Sequence, residues 1–170
     1  MRWSKSGVAE RYRRSADLAR HATNDSLPAA LVEEFQVETW RFSDIGVVEK
    51  TWPAPQFDWS AIFQDYQKVP DALGFGIWSQ GVLCGMGLIT LTNSAAVLRF
   101  VERNKAESAG LRGSVVLISL DVATNYCQSA GRSNLWLEPK TDELAQWYQD
   151  RFGFDRVDEG GRIMCKKKVN

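Results

Sequence analysis

The residues best placed to do chemistry in this 170-residue chain lie where a strand, a glycine loop and a helix follow one another. Val101-Glu102-Arg103-Asn104 ends a strand pattern, and a polar loop runs from Lys105 to Gly110. Leu111-Arg112-Gly113-Ser114-Val115 then leads into a long apolar stretch beginning Val115-Val116. Unpaired backbone N–H groups at a helix start converge on one spot, and a glycine lets phosphates approach the main chain. The segment therefore suits a pyrophosphate, held by amides between Leu111 and Val116, with Arg112 able to add charge. The same glycines also serve as plain turn residues. Neither GxGxxG nor GxxxxGK followed by Ser or Thr is present, so the usual dinucleotide and P-loop fingerprints are excluded.

Composition removes several other chemistries. His21, in a polar stretch near the N-terminus, is the only histidine, which leaves few routes to a His-centred triad or a multi-His metal site. Cys84, Cys127 and Cys165 are odd in number and form no CxxC pair, so they read as reduced core thiols, with no metal site expected. Lys plus Arg and Asp plus Glu each total 21, and no net field draws the molecule to nucleic acid or anionic lipid. No apolar run is long enough to span a bilayer, and the charged start MRWSKSGVAERYRR has no apolar signal core behind it. A cytoplasmic protein without nucleic-acid or membrane partners is expected.

The elements that must position the glycine loop follow from periodicity. Composition shifts near residue 27, which divides the chain into a basic N-terminal helical extension, 1–27, and one domain, 28–170. Within the extension, Ser4 to Arg20 can form a helix whose thin stripe of Val8, Tyr12, Ala16 and Ala19 places it on the surface. Leu27 to Leu31 suggests a helical turn, and Phe35, Val37 and Thr39 alternate as a first strand. Beyond a looser stretch and Trp52-Pro53-Ala54-Pro55, Asp58 caps a helix carrying Trp59, Ile62, Phe63 and Tyr66. A three-strand meander covers 73–103, Val115 to Ala130 is a broadly buried helix closed by Gly131, and Asn134 to Leu137 is a short strand. Thr141 caps a helix with Leu144, Trp147 and Tyr148, and a hairpin from Phe154 to Val169 ends a mixed α+β order.

This order resembles that of the GNAT superfamily of acetyl-CoA-dependent N-acyltransferases over roughly residues 34 to 169. Two motifs carry the resemblance. Gly110-Leu111-Arg112-Gly113-Ser114-Val115 stands for the family loop R/Q-x-x-G-x-G/A, with Gly110 in place of Arg or Gln and Val115 in place of the small residue. Leu144-Ala145-Gln146-Trp147-Tyr148-Gln149-Asp150-Arg151-Phe152-Gly153-Phe154 stands for A-x-x-L-Y-x-x-x-G-F, with one extra residue between Tyr148 and Gly153. The wording FDW, GFGIWSQGVLCG and GLRGSVVLISLDVATNYC is similar to a bacterial or phage-associated branch whose loop reads P-L-K-G. No subfamily function follows from it.

The resemblance implies a central, mostly antiparallel twisted sheet flanked by helices, with two strands splayed at the cofactor site. It implies acetyl-CoA or another acyl-CoA as co-substrate, no metal, and direct attack by a primary amine on a small molecule or a protein. A homodimer is plausible on the same ground. Leu111, Arg112, Gly113, Ser114, Val115 and Val116 would hold the cofactor, and Thr141 stands where many relatives carry a cofactor-touching Asn. Val101 would give a backbone donor to the acyl carbonyl, and Tyr148 a proton to sulfur. Glu102 is the candidate base, directly or through water, against a reading as a solvated strand-end acid. Trp52, Phe57 and Trp59 either line the acceptor pocket or anchor an irregular loop in the core. Two rivals to an enzyme acting on a small amine are a non-catalytic interaction module and an acyltransferase toxin acting on a cellular macromolecule.

Overall fold

The alternating apolar runs from Leu73 to Arg103, broken at Ser79-Gln80-Gly81 and Thr92-Asn93-Ser94, fold as the expected meander. In the computed structural model, which describes residues 5–26 and 34–170, β2 (Leu73–Ser79), β3 (Val82–Leu91) and β4 (Ala95–Arg103) pair antiparallel. Gln80 and Gly81 both take positive φ, +49° and +76°, as a tight primed hairpin turn demands. β1 (Gln36–Thr39) adds to β2, and past β4 come β5 (Asn134–Leu137), β7 (Arg162–Lys168) and β6 (Asp155–Glu159). The sheet order is β1-β2-β3-β4-β5-β7-β6, and among its neighbouring pairs β4–β5 alone is parallel.

Alternation along β2 and β3 sends apolar side chains to both faces, and each face has its own core. On one side Trp40, Trp52, Trp59, Ile62, Met86 and Leu88 gather under α2 (Phe42–Thr51) and α3 (Trp59–Tyr66). On the other, Phe75, Ile77, Ile118, Val122, Tyr126 and Leu135 gather under α4 (Val115–Ser129) and α5 (Asp142–Phe152). Asp58 caps α3 by accepting from the Ala61 N–H at 3.0 Å, as its position predicts. α2 is a helix where the sequence suggests only a looser stretch. Its start is fixed by the buried Asp44, which reaches back to accept from the Arg41 N–H at 2.8 Å, and its core face is only Ile45 and Val48. Two apolar residues around Gly46 give too little periodicity to read.

α1 (Lys5–Ser26) corrects the expectation of a thin surface helix. Its buried face is Ser15, Ala19 and Thr23, small residues at i, i+4 and i+8 that let α1 lie close against α4. The Ser15 hydroxyl donates to the Ser129 carbonyl at 3.1 Å, and the Ser129 hydroxyl donates to the Ser15 carbonyl at 2.9 Å. Asn24 caps the sheet edge, donating to the Val37 carbonyl at 3.1 Å and accepting from the Val37 N–H at 2.8 Å, so the outer side of β1 is not left open. Hydropathy scores Ser and Thr as polar, which hides this seam. The suggested turn at Leu27 to Leu31, with the boundary at residue 27, lies outside the described residues.

The α1–α4 seam contains a titratable group. Burial pushes the Asp121 carboxyl above its usual range, against the opposing effect of hydrogen bonds from Thr23 and Asn125. A group whose folded pKa is raised adds stability below its unfolded pKa and loses it as pH rises through the folded value. Asp121→Asn is therefore expected to gain thermal stability relative to the parent as pH rises from 4 to 7. Melting curves at several pH values check this; a constant difference contradicts it.

Candidate active site

The site begins where β4 and β5 part. Their parallel ladder joins Ala95 through Leu98 to Asn134 through Leu137, after which β5 stops while β4 runs on to Arg103. The cause is local. On the β3 side Leu98 pairs with Ile89 and Phe100 with Leu88, so Arg99 is an extra, bulged residue that bends β4 away. The Asn104 N–H donates to the Cys84 carbonyl at 2.8 Å, and alternation of an antiparallel ladder then turns the N–H and C=O of Val101 away from β3, into the gap. Leu98, Val101, Leu137, Leu144 and Tyr148 line that gap, a cavity of about 140 Å³.

The glycine loop follows directly. Asn104 is buried and ties both ends of the turn, donating to the Leu83 carbonyl at 3.1 Å and accepting from the Ala106 N–H at 3.0 Å. Leu111 is buried with φ +62°, Gly113 has φ +76°, and the Ser114 N–H closes the turn on the Leu111 carbonyl at 2.9 Å. A Cβ placed on Gly113 would meet nothing within 4 Å, so its surroundings are open. Ser114 makes no side-chain cap, and the helix bond closed by Ile118 runs to the Ser114 carbonyl at 2.9 Å. The amides of Val115, Val116 and Leu117 thus lack intrahelical acceptors. Val115 stands where a small residue is usual, but its side chain turns inward and is 2% exposed. Gly85 on β3 makes the room: a Cβ there would lie 2.6 Å from Cγ1 of Val115. Val116 is half-buried against the core, and Arg112 is exposed, its Nη2 donating to the Glu107 carbonyl at 3.1 Å. The Thr141 hydroxyl accepts from the Leu144 N–H at 3.1 Å and serves as the cap of α5.

Tyr148 projects from α5 into the gap and is 8% exposed, its ring set edge-on to Trp147 and Phe154 at centroid distances of 5.2 and 5.9 Å. Burial, with a further contribution from the Cys165 thiol, pushes its phenol up from the ordinary tyrosine range, so the group is a neutral O–H donor. Gly153 ends α5 in the left-handed conformation, φ +69°, and the extra motif residue is taken up before that cap.

Glu102 is not a solvated strand-end acid. It is 5% exposed, on the face opposite Val101. Its carboxylate accepts from the Gln56 N–H at 2.5 Å, the Phe57 N–H at 3.3 Å and the Trp59 Nε1–H at 2.8 Å. This carboxylate holds the irregular segment before α3 against the sheet, and so sets where Gln56 and Phe57 stand at the cavity. Glu102→Gln puts an amide N–H against those donors and removes the charge. A loss of about 2 kcal/mol is expected, scaled from charge-assisted bonds. Urea denaturation checks it; unchanged stability contradicts the anchoring role.

No family model matches the chain, and no curated protein matches it in sequence. Solved structures do match its fold. The GNAT-family acetyltransferase of Staphylococcus aureus Mu50 is 14% identical and covers 80% of this chain and 99% of its own, at a TM-score of 0.58. The ribosomal-protein-S18-alanine N-acetyltransferase of Escherichia coli is also 14% identical, covering 80% and 94%, at 0.57. The PaiA N-acetyltransferase of Thermoplasma acidophilum, solved in complex with coenzyme A, is 16% identical, covering 79% and 99%, at 0.52. The fold is that of the GNAT N-acetyltransferases. The expected sheet, with β4 and β5 splayed, is the one observed.

On this GNAT fold the residues expected in the acceptor pocket separate. Phe57 lines the gap and a larger adjoining cavity of about 520 Å³. Trp52 and Trp59 do not: they are 5% and 2% exposed and belong to the core under α2 and α3, where large rings anchor the proline-rich segment. Arg99, Glu138, Pro139 and Lys140 border both cavities, and Tyr66, Phe100 and Arg162 border the outer one. Lys140 Nζ lies 4.2 Å above the Phe57 ring, and Arg162 Nη1 is 3.9 Å from a Glu138 carboxylate oxygen. Apart from Phe57 and Tyr66, which is placed only as a helix-face residue, no motif marks these positions, because they come from a bulge, a strand end and a hairpin far apart in sequence. A separate cavity of about 330 Å³ lies between α1 and the segment joining α3 to β2, where Arg20 is paired with Asp17 and Thr39. Among the described residues no group of three or more His, Cys, Asp or Glu could hold a metal, and no helix is long and apolar enough to cross a membrane.

Proposed function

We propose that the protein transfers an acetyl or other acyl group from acyl-CoA to a primary amine. The observation that carries this reading is a single cavity, opened by the β4–β5 splay, bordered by both Val101 and the neutral phenol of Tyr148. The residues present fit acyl-CoA: the open Gly113 and the amides at the start of α4 suit a diphosphate, and the inward turn of Val115 leaves that face clear. A structural neighbour carrying coenzyme A on the same fold supports the choice of carrier.

Bound acyl-CoA supplies an activated thioester. The chain's own residues do the rest. The Val101 N–H donates to the carbonyl oxygen as negative charge builds there. The amine forms a C–N bond as the C–S bond breaks, Tyr148 gives its proton to sulfur, and a carboxylate removes the proton from nitrogen. Glu102 acts on this step through the wall that it holds, and Glu138, which borders both cavities, is the carboxylate placed to receive that proton. The buried thiols of Cys84, Cys127 and Cys165 suit a reducing, cytoplasmic setting.

Titration with acetyl-CoA, followed by thiol release across a panel of amines, tests the proposal. Binding with turnover supports it. No binding overturns it, and binding without turnover on a wide panel leaves a non-catalytic module on the same fold.

A further inference from the structure

The outer cavity has an unbalanced charge. Arg99 reaches it from β4, Lys140 from the loop between β5 and α5, and Arg162 from β7, and Glu138 is the acid among its lining residues. The whole chain is neutral, so this excess belongs to the cavity. All three cations keep donors to spare. Arg99 spends Nε on the Thr90 hydroxyl at 2.8 Å, which leaves its terminal nitrogens, and Lys140 lies over an aromatic face rather than against a carboxylate. Arg162 is a loose 3.9 Å from Glu138, with its side chain 73% exposed.

We infer that the amine acceptor is a small molecule carrying its own anionic group, received by Arg99, Lys140 and Arg162 while its amine points inward past Glu138 to the gap. The inference rests on the acyl-transfer reading of that gap. A simple alkylammonium entering a net positive cavity is repelled, whereas an acceptor with an added anion is attracted and held in one orientation. Guanidinium groups suit a carboxylate or phosphate in particular, because their donors form a planar fork. Phe57, Phe100 and Tyr66 offer a short apolar wall between the anion and the gap, with Phe57 and Phe100 edge-on at 5.2 Å. A volume of about 520 Å³ is in the range of small-ligand sites.

Matched amines test this: phenylalanine against phenethylamine, β-alanine against its amide, and phosphoethanolamine against ethanolamine. Thiol release from acetyl-CoA is expected to give at least one anionic member a kcat/KM about tenfold or more above its neutral partner. Carboxylate and phosphate pairs then distinguish the anion. Arg162→Gln and Lys140→Gln are expected to lower that anionic-to-neutral ratio by about fivefold to tenfold, carried in KM. Lys68→Gln, outside the cavity, leaves the ratio unchanged. Neutral members equal to or better than anionic ones, or variants that leave the ratio unmoved, overturn the inference. If acetyl-CoA itself fails to bind, the acyl-transfer reading fails separately. Calorimetric titration of the same pairs into the protein alone then decides: tighter binding of the anionic members, weakened by Arg162→Gln, supports it, and equal or absent binding overturns it.

Discussion

Tyr148→Phe is expected to lower kcat for acetyl transfer by about 100-fold, the lower end of the usual contribution of a positioned general acid, while the affinity for acetyl-CoA changes less than about twofold. The variant removes one oxygen and keeps the ring, so the packing against Trp147 and Phe154 survives and the midpoint of thermal unfolding should move little. The pH profile adds a sign. Burial holds the Tyr148 phenol above its ordinary value of 10.0, and a group that donates a proton works only below its pKa. The alkaline loss of activity from this group should therefore fall above the normal tyrosine range in the parent protein and be missing in the variant. An unchanged kcat with Phe at this position would remove Tyr148 from the reaction.

Gly113→Asp is the second large effect, an expected fall of about 100-fold or more in affinity for acetyl-CoA. The position is open, so no side chain is displaced. Its φ of +76° costs a non-glycine residue roughly 1 kcal/mol, with Asp and Asn the best tolerated. Gly113→Asn shares that cost and lacks the charge, so the difference between the two variants isolates repulsion between the carboxylate and the diphosphate. Calorimetry should show Asn within several-fold of the parent and Asp far weaker. Added salt should recover part of the Asp loss, since the interaction is exposed and screened. Equal affinities for the Asp and Asn variants would contradict the loop assignment.

Much of this architecture can be read from residue order because its signals are local. The caps Asp58 and Thr141, the glycine after α4, and the alternation of β2 to β4 each act within a few residues, and each lies where expected. The α1–α4 seam is different, since Ser15, Ala19 and Thr23 become a core face only when Ser129 and Asn125 meet them. The same holds for the site. Gly113 and Tyr148 stand at motif positions and Val101 near the end of a strand pattern, but the meaning of Val115 depends on Gly85, thirty positions earlier, whose missing side chain accepts it. Glu102 reads in sequence as a candidate base or a solvated strand-end acid and is a buried anchor in space, because its three donors arrive from residues 56, 57 and 59. The charged residues of the outer cavity converge only through the Arg99 bulge, the end of β5 and the β6–β7 hairpin. No spacing rule encodes that convergence.

The central claim is that main-chain amides at the start of α4 bind the diphosphate of acyl-CoA. Titration of the 15N-labelled protein with coenzyme A measures it at the atoms concerned. The account predicts the largest amide shifts at Gly113, Ser114, Val115 and Val116, with a second group at Val101 along the gap. Shifts centred on the cavity beside α1, or none at the α4 start, would contradict it.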